Sequence, residues 1–137
     1  MPAGTGMRIT RSKEGLISEK EQTLYRSGVG MLLFLVKYSR PDLANIVREL
    51  LRVNNGATKG HMSMLLRVIK FTLDTQNRVL NYELQKENSN WELKDFCNSD
   101  WAGSKGNRRS ITGYCIYFQG CLVAWKSQAQ KRDVVFK

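Results

Sequence analysis

The sequence predicts an α+β protein in which a small three-helix subdomain precedes the first antiparallel strands of a second, truncated domain. Apolar residues recur with helical spacing as far as residue 73, and from about Arg78 the pattern changes to alternation. Turn-forming pairs such as Gln119-Gly120 separate the alternating runs. We therefore expect a helical segment with a terminal strand at residues 1–88 and a strand-rich segment at residues 89–137.

The first helix is predicted to begin after Ser18, because Ser18 and Glu21 form a capping-box pattern. Its expected inner face is made of Leu24, Tyr25, Val29, Leu32, Leu33 and Val36. Gly28 and Gly30 lie within this helix, and each costs about 1 kcal/mol relative to alanine. The two glycines would be tolerated where another backbone packs closely against the helix.

Two further helices are predicted. The segment Ser39-Arg40-Pro41-Asp42 favours a helix start, because proline suits the first helical position and an acidic residue complements the helix dipole. This second helix has an expected apolar stripe of Leu43, Ile46, Val47, Leu50 and Leu51, with Arg48, Glu49 and Arg52 lying off it. Thr58 is predicted to cap the third helix, whose expected inner face is Met62, Leu65, Leu66, Ile69 and Leu73.

The strand-rich half is predicted from alternating apolar residues. The alternation of Val79, Leu80, Tyr82 and Leu84 indicates a first strand, and further strands are expected at about 92–98, 111–119 and 121–127. The last two would be joined by a tight hairpin turn at Gln119-Gly120. Trp125 is expected to lie in the core. The three cysteines in these strands (Cys97, Cys115 and Cys121) are interpreted as buried free thiols, because they lack metal-ligand spacing.

The charge of the chain indicates an anionic partner. There are 22 Lys and Arg against 12 Asp and Glu, with a net charge of +10 and a pI of about 9.8. Nucleic acid is the usual partner of such a surface, although a basic surface without a partner is the alternative. No apolar run approaches the ~20 residues of a membrane span, so no membrane partner is expected. An intracellular location, cytoplasmic or nuclear, is the prediction.

Motifs in both halves resemble the Pol polyprotein of copia-type LTR retrotransposons. In the helical half these are Tyr25-Arg26-Ser27-Gly28-Val29-Gly30-Met31-Leu32-Leu33, Ser39-Arg40-Pro41-Asp42-Leu43-Ala44, His61 and Arg67-Val68-Ile69-Lys70. In the strand-rich half they are Ser99-Asp100-Trp101-Ala102-Gly103, Arg108-Arg109-Ser110, Gly113-Tyr114 and Trp125-Lys126-Ser127. The resemblance implies a reverse transcriptase thumb and connection, followed by the N-terminal part of a ribonuclease H domain.

The resemblance also implies which catalytic parts are missing. Intact members copy RNA into DNA and cleave the RNA strand of the hybrid, using carboxylates that hold Mg²⁺. No Asp-Asp pair occurs in this sequence, so the polymerase site is absent. Asn98 occupies the position of the family's first ribonuclease H Asp, and the other acids would follow Gln130. We therefore expect no intact catalytic site and no Mg²⁺ in this fragment, with Asp100 a weak metal candidate or simply a solvated residue.

Basic residues are the better candidates for a function. Lys105, Arg108 and Arg109 lie on a Gly-containing loop that could approach phosphates, and Lys126 would extend that surface. The alternative is a loop that is basic only by composition. In the helical half, Arg40, Arg48, Arg52, Arg67 and Lys70 are expected to lie off the apolar stripes and to follow a duplex backbone. The expected partners are an RNA–DNA hybrid or duplex DNA, and the rest of the Pol polyprotein.

Three functions remain open from the sequence. The chain is a Pol fragment that is catalytically inactive alone, a retained basic nucleic-acid-binding module without an enzymatic role, or a fragment that is active within a longer or associated chain. His61 is the only histidine and is expected to be structural or to lie on the surface, because no Cys or Asp accompanies it at the spacing of a nucleophile site.

Overall fold

A computed structural model describes residues 15–83, 91–100 and 110–130 of the chain. The chain divides into two compact units, and the boundary between them lies after Val79 in the sequence. We call the described residues before this point the helical unit and those after it the sheet unit. The boundary predicted at residues 88 and 89 lies outside the described residues and stays a prediction.

The helical unit contains three α-helices. Helix α1 spans Glu19–Tyr38, α2 spans Ala44–Leu51 and α3 spans Lys59–Asp74. A short 3₁₀ helix, Pro41–Leu43, precedes α2. The proline therefore begins a 3₁₀ turn rather than the α-helix itself, which starts only after Leu43.

Both predicted helix caps are confirmed. Ser18 Oγ accepts a hydrogen bond from the Glu21 amide at 3.3 Å, and Glu21 Oε2 accepts one from the Ser18 amide at 2.9 Å. At the start of α3 the same arrangement uses His61 instead of a carboxylate: its Nδ1 accepts from the Thr58 amide at 3.0 Å. His61 is buried and takes part in the cap, so of the two predicted alternatives the structural one is confirmed and the surface one is not.

The core of the helical unit joins α1, α2, α3 and the turns between them. Its buried apolar residues are Tyr25, Val29, Leu32, Leu43, Ile46, Val47, Leu50, Val53, Ala57, Leu65 and Val68. The inner face predicted for α1 was wrong at Leu24 and Leu33, which are 67% and 44% exposed. The face predicted for α3 was wrong at Leu66 and Leu73, because α3 turns His61, Leu65 and Val68 inward. Apolar residues occupy more than one face of α1 and of α3, and only the packing selects the face that is buried.

The two glycines of α1 have different surroundings. A Cβ atom built on Gly28 would lie 2.9 Å from Leu65 Cδ2, so Gly28 permits the close contact of α1 with α3. The contacting group is a side chain rather than the expected backbone. A Cβ atom on Gly30 would meet nothing within 4 Å, so no close packing accounts for a glycine at this position.

The sheet unit is a three-stranded antiparallel sheet in the order β1-β2-β3. Strand β1 spans Leu93–Asp100, β2 spans Ile111–Phe118 and β3 spans Cys121–Ala129. The predicted hairpin is confirmed: Phe118 pairs with Cys121, and Gln119 and Gly120 between them have φ values of 49° and 79°. Two consecutive residues with positive φ define the type I′ turn that matches strand twist.

The strand predicted near Val79 was wrong. Within the described residues, 79–83 belong to no strand, and Val79 is 81% exposed. Alternation alone does not form a strand, because a strand requires a partner to satisfy its backbone groups. The coarse fold class, α+β with three helices and an antiparallel sheet, is confirmed.

The register assigns alternate residues of the sheet to opposite faces. One face, which we call face A, contains Phe96, Cys115 and Trp125, which are neighbours across the three strands. The other, face B, contains Cys97, Tyr114 and Lys126. The pairing of β2 with β3 shifts by one residue after Ile116, and Val123 has no partner in β2. The two-residue alternation that places Trp125 and Ser127 on one face therefore does not extend to Val123.

The cysteines are free, as predicted, but they are not all buried. Cys121 is buried and its thiol donates to the Glu83 carbonyl at 3.6 Å, whereas Cys115 is half-buried and Cys97 is exposed. Trp125 is half-buried rather than enclosed. The predicted burial was therefore too strong, because a three-stranded sheet covers neither of its faces by itself.

Candidate nucleic-acid interface

Asn98 lies on face A of β1 and is exposed. Its register partner is Gly113, and Gly113 in turn pairs with Ser127 of β3. The amide side chain of Asn98 offers a neutral oxygen where the resemblance places a carboxylate. It can donate and accept hydrogen bonds, but it contributes no charge to hold a divalent cation.

The acidic residues near Asn98 do not combine into a metal site within the described residues. Asp95 lies on face B with Cys97, whose thiol donates to Asp95 Oδ2 at 4.0 Å. Asp100 ends β1 opposite Ile111, and only its backbone is described. In the described part of the chain, no three His, Cys, Asp or Glu side chains are grouped so that they could hold a metal ion. These donors do not fit a two-metal site.

Lys126 is the one described member of the predicted loop surface. It is exposed on face B, opposite Tyr114, and therefore on the other side of the sheet from Asn98. Lys105, Arg108 and Arg109 lie outside the described residues, so their part in the interface stays a prediction.

Face A also contains a groove of about 500 Å³. Its lining residues are Glu92, Lys94, Phe96, Cys115, Tyr117 and Gly120. Lys94 Nζ lies 2.8 Å from Glu92 Oε1, so the acid offsets the one cation of the groove. The groove is apolar, with Phe96 and Tyr117 in edge-to-face contact, and it is poorly suited to a phosphate backbone.

Arg40 does not belong to a binding surface, contrary to the prediction. It is 5% exposed, and its guanidinium donates to both carboxylate oxygens of Asp42 at 2.9 Å. It also donates to the Thr75 carbonyl at 3.3 Å and to Thr75 Oγ1 at 2.9 Å. Arg40 therefore ties the 3₁₀ helix to the end of α3. The hydrogen bonds between Arg40 and Asp42, together with their opposite charges, lower the pKa of Asp42 and raise that of Arg40, although burial opposes both shifts.

Arg48 and Arg52 both form ion pairs with Glu49, which the sequence pattern predicted to lie off the buried face. Glu49 is only 7% exposed, and its two carboxylate oxygens lie 3.2 Å from Arg48 Nη2 and 2.8 Å from Arg52 Nη1. The expectation that Glu49 lies off the buried face was wrong. An amphipathic pattern predicts that a charged residue is exposed to solvent. It does not show that two neighbouring arginines can pair with the carboxylate and so allow it to be buried.

Helix α3 presents the exposed basic surface of the helical unit. Lys59, Ser63, Arg67 and Lys70 are all exposed and share one face, opposite the buried His61, Leu65 and Val68. In the described residues, no ion pair engages Arg67 or Lys70. The cations extend over about 16 Å of the helix axis at 1.5 Å per residue. We call Lys59, Arg67 and Lys70 the α3 basic stripe.

Lys59 is the member of this stripe that sequence reasoning missed. The spacing of Lys59, Ser63, Arg67 and Lys70 by four, four and three residues is the signal that would have found it. Hydrogen bonds from Ser18 lower the pKa of Glu21, and the charge of Lys59 lowers it further, so Lys59 also faces the start of α1.

Known proteins were found that resemble this chain over most of its length. It is 32% identical over 107 residues to the secreted RxLR effector protein 161 of Plasmopara viticola, covering 78% of the chain and 73% of that protein. It is 30% identical over 111 residues to the retrovirus-related Pol polyprotein from transposon RE1 of Arabidopsis thaliana, covering 81% of the chain. It is 31% identical over 107 residues to the corresponding polyprotein from transposon TNT 1-94 of Nicotiana tabacum, covering 78% of the chain.

The chain belongs to the copia-type retrotransposon Pol family. It spans only 7% and 8% of the length of the two Pol polyproteins. No protein-family profile and no solved structure matches the chain. The resemblance found in the sequence is confirmed, and the activities of a whole Pol polyprotein remain proposals for this segment.

The described structure of this Pol segment includes a helix with an exposed basic face. Arg40, Arg48 and Arg52 stabilise the helical unit, whereas Arg67 and Lys70 remain exposed. None of the described helices is both long and apolar enough to cross a membrane.

Proposed function

We propose that this Pol segment binds the sugar–phosphate backbone of an RNA–DNA hybrid or duplex DNA and has no catalytic activity of its own. The α3 basic stripe is the observation that supports the proposal, because its cations are exposed on one face and its Arg67 and Lys70 have no ion-pair partner among the described residues. Cations in such a row contact phosphates without reading the sequence. The proposal includes a reverse transcriptase thumb-like role for the helical unit.

The proposal extends to the sheet unit as the beginning of a ribonuclease H-like domain. Asn98 supports its inactivity, because a neutral amide in place of a bridging carboxylate weakens the binding of Mg²⁺. The partners of this segment would be the nucleic acid and the rest of the Pol polyprotein. Its location would be intracellular, in the cytoplasm or nucleus, where these nucleic acids occur.

The binding proposal is tested by titrating a labelled RNA–DNA hybrid with the chain at several salt concentrations. The double variant Arg67→Ala with Lys70→Ala should bind at least ten-fold more weakly, with the salt slope reduced by about 0.9 per lost phosphate contact. The matched control is Lys20→Ala with Lys94→Ala, which removes two exposed charges from other elements. If both pairs weaken binding equally, net charge rather than the α3 basic stripe is responsible.

The loop is tested in the same titration. Replacing Lys105, Arg108 and Arg109 by Ala should weaken binding independently of the α3 pair if both surfaces contact the backbone. Binding that is unchanged in the loop variant would remove the loop from the interface and leave the α3 basic stripe as the site.

Inactivity is tested with the same hybrid, labelled on its RNA strand, in Mg²⁺. The chain should leave the RNA intact. Cleavage that disappears in Asp100→Ala would contradict the proposal, because it would show that Asp100 and Asn98 form a working site despite the missing carboxylate.

A further inference from the structure

A second apolar face of α1 is exposed, on the side away from the core. Leu24, Met31, Phe34 and Tyr38 are 67%, 63%, 63% and 56% exposed, whereas the core face of the same helix buries Tyr25, Val29 and Leu32. With Ser27 between them, the exposed residues are spaced by three, four, three and four positions. We call Leu24, Ser27, Met31, Phe34 and Tyr38 the α1 stripe. This spacing is that of the contacting seam in paired helices.

The α1 stripe has the shape of a helix-packing surface. It extends for about 21 Å along the axis at 1.5 Å per residue. Phe34 and Tyr38 contact each other with ring centroids 4.7 Å apart, which makes a continuous aromatic end. Ser27 is small, and Gly30 beside it would have nothing within 4 Å of a Cβ atom. The middle of the stripe therefore has room for a large side chain from an opposing helix.

The charges at the two ends of α1 favour one arrangement of that helix. The first turn contains Glu19, Lys20 and Glu21, with a net negative charge, and the last turn contains Lys37. Two copies of α1 that pack antiparallel bring Glu19 of one copy towards Lys37 of the other. They also oppose the two helix dipoles, whereas a parallel pair places like charges together.

We infer that the α1 stripe is a homodimer interface in which α1 packs antiparallel against α1 of a second copy of the chain. In this arrangement Leu24 of one copy lies opposite Phe34 of the other, and Met31 lies opposite Ser27. Burial of the large side chains removes roughly 1,000 Å² of surface in total, which reaches the lower range of specific interfaces. The interface is isologous, so each contact occurs twice.

The interface is tested by sedimentation velocity on the full chain over a range of concentrations. The wild type should show a concentration-dependent dimer, and Phe34→Glu should raise the dimer dissociation constant at least ten-fold. Leu66→Glu is the matched control, because Leu66 is also exposed, at 58%, but lies on α3. Circular dichroism shows whether each variant keeps its helices.

The antiparallel direction is tested by exchanging charges. Glu19→Lys and Lys37→Glu should each weaken the dimer, and the chain with both substitutions should recover wild-type affinity because the charges again oppose one another. A monomeric wild type at all concentrations, or equal weakening by Leu66→Glu and Phe34→Glu, would overturn the inference. Failure of the double exchange to restore affinity would overturn the antiparallel arrangement.

Discussion

The helical unit and the sheet unit are stabilised in different ways. In the described residues, the apolar core lies in the helical unit, and Cys121 is the only buried apolar residue of the sheet unit. The sheet is held by backbone pairing along its three strands, while Phe96, Leu93 and Trp91 remain more than half exposed. Hydrogen bonds specify the arrangement of strands, but burial of apolar surface supplies most of the free energy of folding. We therefore expect the helical unit to be more stable than the sheet unit, even though both have regular secondary structure.

The largest difference is expected from removing one apolar side chain from each unit. Leu50 is fully buried, so Leu50→Ala should destabilise the helical unit by about 2–5 kcal/mol. Phe96 is 61% exposed, so Phe96→Ala should cost less than about 1 kcal/mol in the sheet unit. Urea unfolding followed by hydrogen exchange of each unit measures both effects. Equal losses would show that Phe96 is covered by a group outside the described residues.

An ion pair in each unit provides the second comparison. Arg40→Ala should cost about 2–4 kcal/mol, because it leaves Asp42 and the Thr75 carbonyl without their buried partner. Lys94→Ala should cost about 0–0.5 kcal/mol, because Lys94 and Glu92 are both more than half exposed. Thermal unfolding of the two variants measures the difference. Arg40→Lys should recover only part of the loss, since lysine lacks the two-pronged contact with the carboxylate.

We expect Tyr25 to make the stability of the helical unit depend on pH in the alkaline range. The Tyr25 hydroxyl donates to the Leu50 carbonyl at 3.0 Å, and burial raises the pKa of Tyr25 to about 12. Because folding raises this pKa, the folded state favours the neutral hydroxyl of Tyr25. The contribution of that hydroxyl to stability is complete below pH 10.0 and is lost as the pH rises towards 12. Tyr25→Phe should cost about 1 kcal/mol at neutral pH.

Urea midpoints measured between pH 7 and pH 12 check this prediction. The midpoint of Tyr25→Phe should fall less steeply above pH 10 than that of the wild type. Tyr117→Phe in the sheet unit is the control for loss of a tyrosine. Parallel curves for wild type and Tyr25→Phe would contradict the assignment.

Alanine substitutions at the two glycines of α1 distinguish the effect of core packing from the effect of helix propensity. Gly30→Ala should stabilise the helical unit by about 0.5–1 kcal/mol, because alanine favours a helix and its Cβ meets no neighbour. Gly28→Ala gains the same propensity but places its Cβ 2.9 Å from Leu65 Cδ2 in the core, so it should be the less stable of the two. Thermal unfolding at low protein concentration compares them. Equal stabilisation would show that Leu65 moves aside at little cost.

The smallest effect is expected at the hairpin turn of the sheet unit. Gln119 has a φ of 49°, a conformation that asparagine adopts more readily than glutamine. Gln119→Asn should therefore stabilise the sheet by about 0.5 kcal/mol, whereas Gly120→Ala should destabilise it because Gly120 has a φ of 79°. Hydrogen exchange of β2 and β3 measures both changes. Protection that is unaffected by either substitution would show that the turn does not limit the stability of the sheet.

Local signals in the sequence predicted most elements of the fold. The capping box at Ser18 and the cap at Thr58 placed two helix starts correctly, because a cap involves only residues about three positions apart. The Gln119-Gly120 turn was predicted for the same reason. The strand near Val79 was predicted wrongly, since its formation depends on a partner strand that neighbouring residues do not reveal.

The candidate interface was predicted only in part. Arg67 and Lys70 are exposed as expected, but Arg40, Arg48 and Arg52 are held by Asp42 and Glu49. A sequence shows that a residue is basic, and it does not show which cations a buried acid will engage. Family membership, in contrast, followed from ordered motifs and was confirmed by relatives.

The sequence by itself determined the family, the net positive charge, the helix caps and the hairpin turn, because each depends on residue identity or short spacing. The tertiary structure decided which of two apolar faces of α1 and α3 is buried, and which arginines remain exposed. Those outcomes depend on contacts between residues distant in the chain, such as Gly28 with Leu65 and Arg40 with Thr75. Packing selects one face of each helix because only one set of side chains can interlock in the core at a time.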